Sequence, residues 1–74
     1  MAIVSGTKRR ILEAIEAKPA HGYEISRRLR LPLTGIYAHL GELSREGFVL
    51  GERDGRRTVY RLSEKGRLLL RALR

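Results

Sequence analysis

Residues 33–49, LTGIYAHLGELSREGFV, constrain this chain most, because they read as a helix with one apolar stripe and one nearly bare face. Ile36, Leu40 and Leu43 fall at i, i+4 and i+7, the spacing of a core-facing stripe. Thr34, Ala38, Gly41 and Arg45 form the opposite side. Tyr37 lies on the flank, where its ring can lean on the core while its hydroxyl faces out. Thr34 is the expected N-cap, and Gly47, after Glu46, the expected C′ residue. Gly35 and Gly41 together cost a helix about 2 kcal/mol relative to alanine. A surface that something must approach closely accounts for that penalty. For Gly41 taken alone, a neighbouring helix packing against it is an equal explanation, and at an N1 position Gly35 would matter little.

The rest of the chain weighs these readings. Seventy-four residues make one domain, 1–74, near the lower limit at which a single core suffices, so a second copy would help. With no cysteine and only two scattered histidines, neither a disulfide framework nor a metal site is expected, and no cofactor. The apolar runs are too short to span a bilayer and nothing resembles a signal peptide, which predicts a cytoplasmic protein without a membrane partner. Sixteen basic residues against eight acidic ones give a net charge of +8, pointing to a polyanionic partner. Thirteen of the sixteen are arginine, whose planar fork suits phosphate oxygens, although a GC-rich genome or a hot habitat gives the same bias.

In chain order, Ile3 and Val4 are too apolar to be left without a surface to cover. Thr7 is expected to cap a helix running to about Ala17, with Ile11, Leu12 and Ile15 buried. Lys8, Arg9 and Arg10 in its first turn oppose the macrodipole, so either solvent screens them or a phosphate backbone lies near. Lys18 and Pro19 end this helix. Residues 21–29, HGYEISRRL, predict a short second helix with Tyr23, Ile25 and Leu29 as its apolar positions. Arg30, Leu31 and Pro32 then join it tightly to the bare-faced helix, which is the length signature of a helix-turn-helix. In that arrangement Arg28 and Arg30 are candidate phosphate clamps, with a solvated face as the plainer alternative.

After Gly47 the period becomes strand-like. Asp54-Gly55 is a hairpin signal, followed by Arg56 to Leu62 with Thr58, Tyr60 and Leu62 on one face and Arg57, Val59 and Arg61 on the other. Arg53, Arg56, Arg57 and Arg61 make the hairpin basic. Charge on an edge strand often serves only to prevent edge pairing, yet a basic hairpin directly after a candidate recognition helix has the position of a wing. Ser63 is expected to cap the last helix, with Glu64 in its first turn. Leu68, Leu69, Leu70, Ala72 and Leu73 exceed one stripe, so this helix should be buried on two sides, the second against another subunit. Ile3, Val4, Leu69, Leu70 and Leu73 are the expected dimer contacts.

HGYEI at 21–25, G-I-Y with L-x-x-L and E-G at 35–47, and G-R-R-x-V-Y-x-L-S-x-x-G at 55–66 together resemble the winged helix-turn-helix domain of PadR-like transcriptional regulators. The resemblance covers roughly residues 11–70. It implies a mainly α fold with a small β-hairpin, a homodimer, binding to palindromic operator DNA, and Tyr37 with its neighbours against the duplex. Proteins of this kind usually continue into long C-terminal helices that dimerise and help form an effector pocket. This sequence ends at Arg74, so dimerisation is expected to use the short last helix or the N-terminal segment, and a small-molecule effector is not expected.

Arginines on separate elements would displace condensed counterions, giving affinity that falls steeply with salt and carries little sequence information. The bare-faced helix offers few base readers: Thr34, Tyr37 and His39 beside Arg45, with Ala38 and the Thr34 methyl suited to thymine methyls. His39 lies close to the core stripe and is more often a packing residue. Modest base specificity is expected, with groove shape carrying part of the affinity. The duplex-DNA contacts so predicted are Arg28, Arg30, Thr34, Gly35, Tyr37, Ala38, Gly41, Arg45, Arg53, Arg56 and Arg57.

A protein-binding winged helix, an adaptor whose basic faces meet acidic partners, fits the small exposed residues equally well. RNA binding is disfavoured by the scarcity of exposed aromatics. An enzyme is not expected, since Ser5, Ser26, Ser44 and Ser63 sit on separate elements, with neither paired carboxylates nor a phosphate loop nearby. Glu24 and Glu42 read as helix-surface acids, and His21 as structural.

Overall fold

The computed structural model describes residues 6–74. The elements run α1 (Gly6–Ala17), β1 (Ala20–His21), α2 (Gly22–Leu29), α3 (Leu33–Arg45), β2 (Val49–Asp54), β3 (Arg57–Leu62) and α4 (Glu64–Leu73). The strands form an antiparallel sheet in the order β1-β3-β2. Ile11, Leu12 and Ile15 of α1, Ile25 of α2, and Ile36, Leu40 and Leu43 of α3 meet Val49, Leu62 and Leu70 in one core. The 3.6-residue pattern read from the chain thus corresponds to burial in α1 and α3, while in α2 only Ile25 of the expected positions is buried.

The helix ends differ from expectation in instructive ways. Thr7 lies inside α1, which already begins at Gly6. Thr34 lies inside α3, whose N-cap is Pro32 with no side-chain cap. Proline's fixed φ and extended geometry deliver the chain into that helix, and Pro32 O accepts from the Ile36 N–H at 3.1 Å. At α2 the cap is a histidine: His21 Nδ1 accepts from the Glu24 N–H and Glu24 Oε1 accepts from the His21 N–H, each at 3.3 Å. That reciprocal pair is a capping box built on imidazole instead of a hydroxyl. Tyr23, expected among the apolar positions of α2, is 53% exposed.

The turn between α2 and α3 closes at Arg30, at φ 56 the only non-glycine residue of positive φ among the described residues. Leu31 N–H reaches back to Ser26 O at 3.1 Å, Ser26 Oγ donates to Leu31 O at 2.5 Å, and Arg10 Nη2 donates to Leu29 O at 3.3 Å. The orphan carbonyls at the end of α2 are thereby satisfied. Glycine ordinarily occupies such a left-handed position, so an arginine there carries backbone strain.

Gly47 ends α3 with φ 82, as expected of a C′ residue, and Phe48 N–H bonds Leu43 O at 2.9 Å. The hairpin register pairs Asp54 with Arg57, so the turn residues are Gly55 and Arg56, one position later than Asp54-Gly55. Arg56 is therefore in the turn, and β3 starts at Arg57. Strand β1, with two residues too short to show alternation, was not legible; its Ala20 and His21 pair with Tyr60 and Val59.

Helix α4 begins where expected. Ser63 Oγ accepts from the Gly66 N–H at 3.0 Å and donates to Gly47 O at 2.5 Å. Its two-sided burial is corrected in one respect: Leu70 is wholly buried in the chain's own core and is not free to meet a second copy. Leu68 is 54% exposed, with Ala72 also exposed and Leu69 and Leu73 half-buried. Ile3 and Val4 lie outside the described residues.

A Cβ at Gly66 would stand 2.1 Å from the backbone O of Phe48. The first turn of α4 thus rests directly on the corner between α3 and β2, which rigid backbone cannot vacate. Gly66→Ala is expected to destabilise the fold by about 1–3 kcal/mol, the usual range for overpacking, read as a lowered urea midpoint.

Candidate nucleic-acid interface

Burying Ile36, Leu40 and Leu43 turns Thr34, Ala38 and Arg45 outward, all exposed, with Gly41 half-buried between them. A Cβ added at Gly35 would meet nothing, and one at Gly41 only the Arg45 Nη1 at 3.7 Å. Among the described residues no neighbouring helix meets a Cβ at Gly41, so helix packing does not account for that glycine. Arg45 instead folds back over the bare patch, laying its guanidinium along the helix surface.

Tyr37 is 49% exposed, and its ring rests on the start of α2. A Cβ at Gly22 would be 2.6 Å from Tyr37 Cε1, so the absence of a side chain at Gly22 lets the two helices meet. The other edge of the tyrosine opens on a hollow of about 300 Å³ shared with His21 and Tyr23, and with Arg56, Arg57, Thr58 and Tyr60 of the hairpin. Arg57 also borders a second hollow of about 400 Å³, lined by Arg27 and Arg28 of α2 together with His21, Tyr23 and Glu24.

The turn end of the wing thus meets both helices of the helix-turn-helix. Of the sequence-predicted residues, Tyr37, Arg56 and Arg57 come together at the first hollow, and Arg28 joins Arg57 at the second. Arg28 also donates to Lys18 O at 3.3 Å. Thr34, Gly35, Ala38, Gly41 and Arg45 lie along the adjacent helix, and exposed Arg30 sits in the turn. Arg53 of β2, across from Thr58, is not among the residues lining either hollow and donates to Gly55 O at 3.2 Å.

His21, Tyr23, Arg27 and Tyr60 were not singled out from the sequence for this surface. The His21…Glu24 spacing of a capping box is the signal that placed His21, hidden because a histidine cap is unusual. Arg27 lies over the Tyr23 ring at 5.6 Å.

The cations of the first turn of α1 have partners within the chain. Lys8 Nζ is 3.0 Å from Glu42, Arg9 pairs with Glu13 at 3.5 Å, and Arg10 caps α2. Neither solvent nor phosphate was needed to explain them. The Lys8 hydrogen bond, with its charge and that of His39 nearby, holds the Glu42 carboxyl below its ordinary range. His39 is partly buried between α1 and α3, with Nδ1 3.8 Å from Glu42, in keeping with a packing role.

The chain folds as a winged helix-turn-helix, with α2 and α3 as the helix pair, the β2–β3 hairpin as the wing, and β1 tying the start of α2 to it. The family model of the PadR-like transcriptional regulators matches residues 11–72, and the chain belongs to that family. No curated protein matches it by sequence.

Solved structures do. The transcriptional regulator BldR from Sulfolobus solfataricus is 25% identical over 93% of this chain and 52% of its own, with a TM-score of 0.88. PcaV from Streptomyces coelicolor, solved with its natural ligand, is 26% identical over 92% and 51%, with a TM-score of 0.87. The homodimeric winged helix-turn-helix DNA-binding domain of Mb0332 from Mycobacterium bovis is 28% identical over 93% and 64%, with a TM-score of 0.81. This chain spans about half the length of the first two. No helix of its described residues is long and apolar enough to cross a membrane.

The capping box at the edge of the site titrates. The His21 backbone N–H, assisted by the charges of Arg28 and Lys18, holds the Glu24 carboxyl below its ordinary range. The unfolded chain then takes up this proton first. The stabilisation is therefore complete above the free carboxyl's pKa and is lost as pH falls through the lower folded value. Glu24→Gln retains a box-forming amide without a titrating group. Its urea midpoint is expected to lack the acid-side fall that Glu24 contributes in the wild type.

Proposed function

We propose that this protein is a transcriptional regulator that binds double-stranded DNA as a homodimer, in the cytoplasm, with α3 as the recognition helix. The observation that carries the reading is the shared hollow: Tyr37 of α3 and Arg56 and Arg57 of the wing face one concavity beside the bare patch of Thr34, Ala38 and Gly41. No carboxylate is among the residues lining that hollow. A small-residue helix face lets backbone approach base edges and thymine methyls, and flanking guanidinium groups meet phosphates. Arg28, Arg30 and Arg45 extend the cationic surface, with Arg53 reaching along the wing. Discrimination rests on shape and methyl contact more than on bidentate hydrogen bonds, because the face lacks Asn and Gln.

Recovery of bound duplexes from random DNA, followed by affinity at several salt concentrations, tests this. The expected result is an enriched palindrome with a steep slope of log affinity against log salt, about −0.9 per neutralised phosphate. No enrichment with a flat slope would overturn the reading and favour a protein-binding adaptor. Gly41→Ala sharpens the test. The new methyl meets the Arg45 guanidinium at ordinary contact distance and should stabilise the helix by up to about 1 kcal/mol. Duplex affinity should nonetheless fall several-fold, because the methyl stands where the groove must come close.

The second copy is proposed to pack on α4 through Leu68, Leu69, Ala72 and Leu73. Leu68, half exposed on a helix whose opposite side is core, anchors this surface. Leu68→Glu is expected to leave the fold intact and convert the dimer to monomer in sedimentation equilibrium; an unchanged mass would remove α4 from the interface.

A further inference from the structure

The capping geometry of His21 decides which ring nitrogen carries hydrogen. Nδ1 accepts the Glu24 N–H at 3.3 Å, so by hydrogen-bond assignment the hydrogen of the imidazole is on Nε2. Nε2 lies 3.2 Å from Arg57 Nη1, and a guanidinium can only donate. Glu24 Oε1 is also 3.3 Å from Nε2, but the hydrogen bond it accepts comes from the His21 backbone N–H. Two N–H donors therefore stand side by side, with Glu24 Oε1 the acceptor nearest to Nε2. Both residues line the 300 Å³ hollow, together with Arg56, Tyr23, Tyr37 and Tyr60.

Donors brought this close are stabilised by an oxyanion that accepts from both, and a tetrahedral one has oxygens to spare for the surrounding side chains. The site is preorganised. His21 is fixed by its strand pairing with Val59 and by its cap on α2, and Tyr37 is seated against Gly22. Arg57 follows the hairpin turn in a regular strand position.

We infer that this hollow is a phosphate seat, in which His21 Nε2–H and the Arg57 guanidinium grip one phosphate group between the start of α2 and the turn end of the wing. The inference deepens the DNA reading, where the group would be one backbone phosphodiester per half-site. The same chemistry would take the phosphate of a free nucleotide.

The test has two arms. In the first, the ¹⁵N resonances of the His21 ring are followed while inorganic phosphate, and separately a nucleoside monophosphate, is titrated at constant ionic strength against chloride. A saturating shift in the wild type that is absent in Arg57→Gln is expected. In the second, duplexes carrying a single neutral methylphosphonate are scanned through the selected site. One position per half-site should cost the wild type about tenfold in affinity. Arg57→Gln, and also His21→Asn, should start about tenfold weaker and lose nothing further at that position. Asparagine is chosen because it still caps α2 while removing the ring N–H.

A nucleoside monophosphate that binds far more tightly than inorganic phosphate, and is not displaced by duplex, assigns the seat to a free ligand. A shift with phosphate but no duplex binding would leave the seat standing and the DNA reading refuted. Duplex binding with no phosphate shift, and with variants still sensitive to every methylphosphonate, would leave the DNA reading standing and the seat refuted.

Discussion

The contact on which the site depends is the seating of the Tyr37 ring on the backbone of Gly22. Helix α3 is held on one side by Ile36, Leu40 and Leu43, fully or almost fully buried, which fixes its rotation but leaves its tilt against α2 to the residues at the flank. With no side chain at Gly22 the ring reaches the first turn of α2, at the place where His21 caps that helix and pairs with β3. One junction thus sets α3, α2 and the wing relative to one another. Any side chain at Gly22 would push the ring out and open the hollow that α3 shares with the wing.

Charge is allocated more narrowly than a net +8 suggests. The cations of α1 hold α1 to α3, brace their own helix and close the end of α2. At the far end of the chain Lys65 caps α3 through Glu46 O at 2.8 Å and stands 4.8 Å over the Phe48 ring. Arg74 pairs with Glu16, whose carboxyl it holds below the ordinary range, so the end of α4 is tied to α1. Exposed arginines remain on α3 at Arg45 and in the hairpin turn at Arg56, and also on α4 at Arg67 and Arg71. Exposed ion pairs of this kind contribute little each to stability.

The strained turn at Arg30 belongs to the same economy of positions. A left-handed arginine is less stable there than glycine would be, yet the side chain it keeps is exposed beside the start of α3. The open glycines of α3 show the converse, since alanine would raise helix stability at Gly41 without a clash. In both places the residue present is the less stable choice for the fold, and both lie on the cationic, bare-faced side.

The order of helices, the core stripe of each, the wing and the Ser63 cap were legible in the sequence because each rests on local periodicity or on short-range hydrogen bonding. Tyr37, Arg56 and Arg57 were individually legible as well, and so was the bare face of α3. Their convergence on one hollow was not, because it depends on β3 pairing with a two-residue strand whose pattern is too short to register. The caps expected at Thr7 and Thr34 failed because proline geometry and the actual starting points of the helices override the preference of a hydroxyl. Leu70 was placed outward because a run of three leucines does not say which one faces the core; the approach of Gly66 to Phe48 O sets the rotation of α4 and buries it. By itself the sequence determined the local elements and the apolar side of most of them. Tertiary structure alone decided which donors stand side by side, since the meeting of His21 and Arg57 depends on strand pairing across 36 positions of chain.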